Sequence, residues 1–468
     1  MKPNDDLTPA DLLKKIDTLW SASADKIMSI EESCTPGTAS PVFTVEGRYT
    51  ARGWTEWTQG FQYGSALLQF DATGDQRFLE IGRDRTTRLM ASHVSHIGVH
   101  DHGFNNVSTY GNLWRLMNEG RVPESAGERD FYELALKITG AVQAARWRTT
   151  ADGTGYIYSF NGPQSLFVDT IRSCRALGVS HLLGHVLMGE RDERISLLGR
   201  LIEHAANTAR WNVYYGAGRD SYDLRGRTAH ESIFNVNDGS YRCPSSQQGY
   251  SPFSTWTRGL AWAMLGFPEQ LEFLALIGDE ELSPYGGRAE VTAMLLGAAR
   301  ATGDFYLEHT PVDGVPYWDT GAPGLALLGD YLDRPADPYN AHEPVDSSAA
   351  AIGAQGLLRL GRYLGETGEG RRYWQAGLTV CATLFDEPYL STDPAHQGLL
   401  LHSVYHRPNG WDHVPAGQRV PNGESSMWGD YHARELALYV QRIAREEPYY
   451  AFFGATGGAG AGAPGMTA

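Results

Sequence analysis

Thr73-Gly74-Asp75, followed by Phe78-Leu79, is the stretch that decides the fold class. The glycine can end one helix in a left-handed conformation, and the aspartate can cap the N-terminus of the next helix. Because the flanking residues carry helical periodicity, the stretch predicts a turn between two helices. Related phrases recur at 189–190, 277–279, 302–304 and 367–369.

Helical hairpins repeated along most of the 468 residues predict an all-α protein, either a closed toroid or an open solenoid. Strand signals are short, as at 155–159 and 232–234. The irregular spacing of the turns and the long loops favour a toroid whose loops form a cleft. We expect one catalytic domain over residues 1–453, followed by a disordered Gly/Ala-rich tail over 454–468.

The charge balance excludes several kinds of partner. Thirty-nine basic and 55 acidic side chains give a net charge of −16. A chain this acidic is poorly suited to bind nucleic acid or an anionic membrane surface, so we expect neither partner. The four scattered cysteines predict neither a zinc site nor a disulfide framework. With no apolar signal segment at the N-terminus, these features lead us to expect a cytoplasmic protein.

The segment 247–262 combines amide, hydroxyl, aromatic and guanidinium groups just before an apolar helix. A helix N-terminus favours an anion, a guanidinium matches a carboxylate, and indole rings can stack on sugars. Each residue could instead be an ordinary core or surface position. Taken together, the segment predicts a pocket for an acidic sugar, with candidate residues Gln248, Ser254, Arg258 and Trp262.

Two aspartates are candidate acid–base groups. Asp169 follows Gly162-Pro163, a plausible helix start, and would then lie in the second helical turn among apolar neighbours. Burial raises the pKa of a carboxyl group, as general acid catalysis requires. A capping or structural aspartate is the alternative. Asp101 precedes Gly103 in a loop that could project its carboxylate into a cleft.

Histidines and one tryptophan complete the candidate set. His93 and His96 lie near Asp101, but their spacing is not typical of a metal site, and we expect no metal. His230 precedes the turn-rich run that ends at Gln248. A lone histidine such as His230 is more often structural than functional, and Trp57 could equally belong to the core.

Taken in order, these segments resemble the unsaturated glucuronyl hydrolases of glycoside hydrolase family 88. Each match is weak alone, but their shared order is specific, and they span about residues 54 to 431. The matching stretches are 57–61, 100–104, 168–170, 248–249, 254–262, 314–319, 346–350 and 428–431.

The resemblance implies an (α/α)6 toroid without metal or organic cofactor. It implies a substrate that carries a 4,5-unsaturated uronic acid at its non-reducing end, as polysaccharide lyases leave. Asp169 would be the general acid and base, and Asp101 its partner carboxylate. The substrate-binding residues implied are His100, His230, Gln248, Ser254, Arg258, Trp57 and Trp262.

The implied reaction is hydration of a vinyl ether. Asp169 would protonate C4, water would add at C5, and the resulting hemiketal would open. An ionised Asp101 would keep Asp169 protonated by like-charge repulsion. The alternatives are an unsaturated rhamnogalacturonyl hydrolase, a polysaccharide lyase and a non-catalytic uronate-binding protein.

The sequence departs from the family pattern in two places, and both bear on substrate preference. Ile171-Arg172-Ser173 replaces residues of the Met-Asn type, and the polar segment 105–129 is unusually long.

Overall fold

Helices dominate the computed structural model, which describes residues 1–34 and 39–453. In the first half of the chain they are α1 (Leu13–Ser33), α2 (Gln59–Thr73), α3 (Gln76–Leu89), α4 (Ala91–Val94), a π-helix (Gly103–Gly111), α5 (Asn112–Asn118), α6 (Ala126–Ala145), α7 (Thr170–Ser173), α8 (Arg175–Leu182) and α9 (Leu197–Trp211). The second half contributes α10 (Thr257–Leu274), α11 (Asp279–Leu282), α12 (Gly287–His309), α13 (Ser347–Leu364), α14 (Arg371–Leu384) and α15 (Met427–Ala444).

The long helices form two concentric rings. The inner ring runs through α2, the π-helix with α5, α7 with α8, α10, α13 and α15, and α15 packs back against α2 to close it. The outer ring consists of α1, α3, α6, α9, α12 and α14, each packed against inner helices. This is the predicted toroid of helical hairpins.

Amphipathicity separates the two rings. Outer helix α9 buries Leu198, Leu201, Ile202 and Ala205 on one face and exposes Arg210 on the other, as expected of a surface helix. Inner helix α13, by contrast, is buried continuously from 347 to 361 and is rich in small residues. Small residues let neighbouring inner helices approach closely.

Three of the predicted turns lie between helices, and two do not. Gly74 ends α2 with φ 75°, and the Asp75 side chain accepts a hydrogen bond from the backbone N–H of Arg77, as predicted. The phrases at 277–279 and 367–369 also lie between helices. The prediction at 302–304 is wrong, because these residues continue α12 and Gly303 gives room for Tyr373. The phrase at 189–190 lies in a β-hairpin instead.

Short antiparallel strands occupy the loops. They are β1 (Ser40–Val45), β2 (Arg48–Arg52), β3 (Trp147–Thr149), β4 (Gly155–Ile157), β5 (Ser165–Phe167), β6 (Leu187–Met188), β7 (Arg194–Ile195), β8 (Glu231–Phe234) and β9 (Tyr241–Ser245). β1 pairs with β2, β3 with β4, and β6 with β7, while β5, β8 and β9 form one sheet. The predicted strand signals correspond to β4 and β8.

The first half of the segment 105–129 is a buried part of the inner ring, whereas most of residues 118–129 are exposed or half-buried. That first half continues the π-helix into α5, and residues 103–117 are all buried. Asn106 and Asn112 bond inside the protein, to Thr139 and to the Ser108 carbonyl. Their polar side chains therefore serve packing between helices.

No helix among the described residues is long and apolar enough to span a lipid bilayer. The tail at 454–468 lies outside the described residues, so its disorder, like the domain boundary at 453, stays a prediction.

Candidate active site

The N-terminal ends of the inner helices meet at one end of the ring. Trp57 precedes α2 and stacks on Trp428 of α15, with ring centroids 5.0 Å apart. The Trp428 indole N–H donates to Ser348 at the start of α13. Arg258 at the start of α10 donates to Asp346, the N-cap of α13, over 3.0 Å. Helix N-termini gathered in this way make the end of the ring locally favourable for an anion.

A small sheet brings Asp169 beside His230. β5 ends at Phe167 and pairs with β8, which begins at Glu231. The backbone N–H of Val168 donates to the carbonyl of His230 over 2.9 Å. The expected position of Asp169 in a second helical turn is wrong, because the apolar residues before it pair as β5. Asp169 is instead the N-cap of α7.

Two carboxylates face one imidazole at this end of the ring. His100 Nε2 lies 3.6 Å from Asp101 Oδ1 and 3.6 Å from Asp169 Oδ2. Asp101 is 7% exposed and Asp169 is 9% exposed, so both are largely withdrawn from water. The half-exposed ring of Phe160 stacks over His100 at 6.0 Å. The structure thus brings together three residues singled out in the sequence.

The proton affinities within this cluster differ from those expected. Burial and the neighbouring Asp169 raise the pKa of Asp101, although His100 opposes the shift. For Asp169, burial is outweighed by His100 and His230, which hold its pKa below the ordinary value. The pKa of His100 is raised because the two carboxylates outweigh its burial. These directions favour protonation of His100 and Asp101 over protonation of Asp169.

His230 is a neutral hydrogen-bond donor. Its Nδ1 accepts hydrogen bonds from the backbone N–H groups of Gln247 and Gln248, at 3.0 and 3.3 Å. The ring proton is therefore on Nε2. Burial lowers the pKa of His230 to about 4, so it stays neutral near pH 7. Its buried Nε2 has no partner in the described part of the chain, which leaves an N–H available for a ligand.

Arg258 organises the wall of the site. Its guanidinium donates to Gln248 Oε1 at 3.0 Å, to Asp346, and to the backbone carbonyls of Val404 and Tyr405. It also lies 4.8 Å from the ring centroids of both Trp256 and Trp428. Since these protein groups use its donors, Arg258 holds Gln248 and the 404–405 loop in place.

The two tryptophans predicted to line the cleft differ in position. Trp57 is half-buried at the mouth. Trp262 is 1% exposed and lies behind Trp57, with ring centroids 6.4 Å apart. Trp262 therefore supports Trp57 rather than offering its own face to a ligand.

Ser254 lies in a loop that a buried aspartate fixes. Asp319 Oδ2 accepts a hydrogen bond from the backbone N–H of Tyr250 over 2.8 Å, and burial raises the pKa of Asp319 to about 6. Ser254 is half-buried and donates to the carbonyl of Ser251. This loop holds Gln248 and Ser254 on the same side of the site as Arg258.

Sequence reasoning missed several side chains near the mouth. Phe160 over His100 is one of them. A second group is Arg52, whose Cζ lies 4.5 Å from the ring centroid of Trp411 and 5.2 Å from that of Tyr405. These residues come from separate loops, and isolated aromatics in loops give no periodic signal that could have identified them.

His100, Asp101 and Asp169 also present three potential metal-ligand atoms within 4.8 Å of one another. The expectation of a metal-free site therefore stays a prediction.

Comparisons with known proteins agree with this geometry. No family model matches the sequence. The unsaturated glucuronyl hydrolase of Bacillus sp. (strain GL1) is 27% identical over 408 residues, covering 84% of this chain and 89% of that protein. The unsaturated chondroitin disaccharide hydrolase of Streptococcus pyogenes serotype M1 is 24% identical over 408 residues, covering 84% of each. The crystal structure of the Bacillus enzyme matches with a TM-score of 0.68 at 23% identity, over 92% of this chain and 97% of that one.

The closed double ring of helices is an α/α toroid, and the named relatives identify the protein as a glycoside hydrolase. Within that class, the chain is similar to the unsaturated glucuronyl hydrolases of glycoside hydrolase family 88, and the named relatives and the solved structures support this reading. The family resemblance and the fold predicted from the sequence are confirmed.

Proposed function

We propose that this enzyme removes a 4,5-unsaturated uronic acid from the non-reducing end of oligosaccharides that polysaccharide lyases have produced. The observation that carries the proposal is the cluster of Asp101, His100 and Asp169, with neutral His230 beside it, at the end of the ring where the inner helices begin. Acid–base groups and donors for an anion are thereby combined in one nearly buried site.

Asp169 delivers the proton in the first step. It protonates C4 of the unsaturated sugar, and positive charge develops at C5 and the ring oxygen. The carboxylate of Asp101, once ionised, stabilises that charge in a site largely shielded from water. Asp169 then acts as the base for the water that adds at C5. The hemiketal opens and releases the remaining saccharide.

Substrate binding itself causes Asp169 to become protonated. The substrate brings a carboxylate into the site and displaces water, and both changes raise the pKa of a nearby carboxyl group. His100 is positioned to pass its proton, because its Nε2 lies 3.6 Å from Asp169. This route replaces the expected one, in which Asp101 alone kept Asp169 protonated.

The acidic sugar is held by donors rather than by a free cation. The Nε2–H of His230 is available to the sugar carboxylate, and the backbone N–H groups of Gln247 and Gln248 fix the orientation of the imidazole through its Nδ1. The guanidinium of Arg258 already donates hydrogen bonds to Asp346 and to the loop carbonyls. The helix N-termini at this end of the ring add a local positive potential to a protein of net charge −16.

Loss of ultraviolet absorbance tests the reaction. Hydration removes the conjugated double bond, so lyase-generated disaccharides should lose absorbance in the presence of enzyme. A rise in absorbance on intact polysaccharide would instead identify a lyase. Binding without any spectral change over hours would identify a uronate-binding protein. Dialysis against EDTA should leave the rate unchanged, and a loss restored by a divalent cation would show that the cluster holds a metal.

The source of the disaccharide distinguishes two hydrolase activities. The Streptococcus pyogenes relative is named for chondroitin disaccharides. A 19% identical Streptococcus agalactiae structure, with a TM-score of 0.62, is complexed with dGlcA-GalNAc6S. We therefore propose a glycosaminoglycan-derived substrate. Faster turnover of pectin-derived than of glycosaminoglycan-derived disaccharides would support the unsaturated rhamnogalacturonyl hydrolase activity.

We also propose a cytoplasmic location. Its support is that Cys34, Cys174, Cys243 and Cys381 are all unpaired. Fractionation of the source cells, with activity measured in each fraction, tests this location.

A further inference from the structure

We propose that Ser173 is a positioning residue that fixes the separation of Asp101 and Asp169. The proposal rests on the proposed function, and it concerns one of the positions where this chain departs from the family pattern. Ser173 lies four residues after Asp169, in the short helix α7 that Asp169 caps. It is fully buried and has no contact with the open cleft.

The hydroxyl of Ser173 holds the chain on both sides of Asp101. Its Oγ donates to the carbonyl of His100 over 2.6 Å. The same Oγ accepts a hydrogen bond from the backbone N–H of Gly103 over 3.0 Å. One side chain from the Asp169 helix therefore binds the residue before Asp101 and the residue two positions after it.

Gln143 of outer helix α6 completes this junction. Its Nε2 donates to Ser173 Oγ over 2.9 Å and to the His100 carbonyl over 3.0 Å. Ser173 Oγ thus makes three hydrogen bonds, all with buried groups. A hydroxyl is the group that can donate once and accept twice at one point.

The backbones of the Asp101 loop and α7 lie too close together for side-chain packing alone to replace this hydrogen-bonded junction. A Cβ added to Gly103 would lie 2.2 Å from the carbonyl oxygen of Ser173. The Asp101 loop and α7 are thus in direct backbone contact, and the hydroxyl fixes their register. Because His100 and Asp101 lie on one segment and Asp169 on the other, a shift between the segments changes the 3.6 Å distance from His100 Nε2 to Asp169 and the separation of the two carboxylates.

Ser180 of α8 provides a matched control. It is also fully buried, and its Oγ donates to the carbonyl of Lys137 over 3.1 Å. Replacing Ser180 by alanine removes the same atoms from a position that touches neither carboxylate segment.

The test compares Ser173→Ala, Ser173→Cys and Ser180→Ala with the unmodified enzyme. For Ser173→Ala we expect kcat to fall by about 10-fold or more with KM changed by less than about twofold, because displaced reacting groups slow chemistry more than binding. Ser173→Cys keeps the volume but bonds weakly, and its kcat should lie between those of Ser173→Ala and the unmodified enzyme. It also provides the comparison if Ser173→Ala does not fold. Ser180→Ala should match the unmodified enzyme.

Titration of His100, followed by NMR of histidine labelled with nitrogen-15, provides a readout that needs no substrate. We expect its midpoint to fall in Ser173→Ala and in Ser173→Cys, since His100 loses part of its ion pairing, and to stay unchanged in Ser180→Ala. The charged or titratable groups that face this cluster are Asp101, Asp169, Arg146, His204, His230 and Glu56.

Unchanged kcat and an unchanged His100 titration in the Ser173 variants would overturn the proposal, as would an equal loss in Ser180→Ala. If the unmodified enzyme is inactive on every unsaturated disaccharide, the proposed function fails. The His100 titration then decides the role of Ser173 by itself.

Discussion

His100 controls where the proton resides at the scale of single residues. It lies at 3.6 Å from both carboxylates, so it can charge-pair with either. In the empty site its positive charge lowers the pKa of Asp169, whereas burial and Asp169 raise that of Asp101. Under the proposed mechanism we therefore expect the arrival of an anionic substrate to form the catalytic acid.

Asp169→Asn should reduce kcat by at least about 100-fold, because the amide can neither donate nor take the proton in the reaction. Turnover of a lyase-generated disaccharide, followed by absorbance, measures the loss. Asp238→Asn, a change at an exposed loop position, is the control and should have no effect. Near-normal turnover by Asp169→Asn would remove Asp169 from the mechanism.

The pH dependence of kcat and of kcat/KM should show how substrate binding changes the pKa of the general acid. A general acid must be protonated, so the rate falls as pH rises through its pKa. In the free enzyme His100 lowers the pKa of Asp169. With the substrate carboxylate bound, that pKa rises. The basic limb of kcat should thus lie at higher pH than the basic limb of kcat/KM. Coincident limbs would show that the substrate does not change the proton affinity.

At the scale of elements, loops carry the site and the starts of the inner helices fix the loops. Asp346 caps α13 and holds Arg258, which in turn holds Gln248 and the 404–405 loop. Asp430, in the first turn of α15, accepts hydrogen bonds from the N–H groups of Leu399 and Leu400. These buried carboxylates bond to the protein itself, and their role is to hold loops in place.

Arg258→Lys should raise KM by about 10-fold with a smaller change in kcat. Lysine keeps the charge that Asp346 requires but cannot hold Gln248 and two carbonyls at once. Steady-state kinetics on one disaccharide measures both constants. Arg362→Lys at an exposed position of α13 is the control. A fall in kcat with unchanged KM would place Arg258 in the chemical step instead.

Arg172→Met should destabilise the fold strongly. Arg172 bonds both oxygens of Glu269 at 2.8 Å and also contacts Glu435 at 3.0 Å, all fully or nearly buried. Removing it leaves two buried carboxylates without this partner, a change that costs about 3–5 kcal/mol. Urea unfolding measures the loss. Arg362→Met, which breaks the exposed pair with Glu366, should cost no more than about 1 kcal/mol. Equal losses in the two variants would contradict this role.

At the scale of the whole molecule, the apolar core of the inner ring also contains buried charged side chains. Arginines are among its largest fully buried side chains, and most lie in ion pairs with buried or half-buried carboxylates. Histidines are buried in both rings as well. Burial lowers the pKa values of His102, His204 and His432 to about 3, so they remain neutral when the protein is folded.

These histidines should make the fold sensitive to mild acid. The unfolded chain takes up a proton on each at its ordinary pKa of about 6.5, and the folded chain does so only near pH 3. The unfolded state therefore binds more protons between these values, and stability falls as pH falls. We expect the melting temperature to drop by about 5 °C or more from pH 7 to pH 5.

Calorimetry at several pH values measures this drop. His204→Asn keeps an acceptor for the Ile157 N–H and removes one titrating group, so its melting temperature should change less with pH. An unchanged pH slope in that variant would show that His204 does not contribute.

The predictable part of the fold is local. Gly74 and Asp75 mark a true turn because their backbone roles need no distant partner. Gly303 has the same neighbours in sequence but lies inside α12, where its lack of a side chain leaves room for Tyr373 of another helix. Asp169 was proposed as a site residue from its motif, but its position after a strand could not be predicted, because the pairing of β5 with β8 decides it.

By itself, the sequence determined the all-α class and the family resemblance and singled out two candidate carboxylates, because helical periodicity, capping chemistry and motif order are properties of neighbouring residues. Only the tertiary structure decided how burial and neighbouring charges shift the pKa values of the site, that His230 Nε2 lacks a partner among the described residues, and that Arg258 already bonds protein groups. Those properties depend on burial and on groups from distant segments, such as His100 beside Asp169 or the 404–405 carbonyls beside Arg258, and no local pattern encodes such distances.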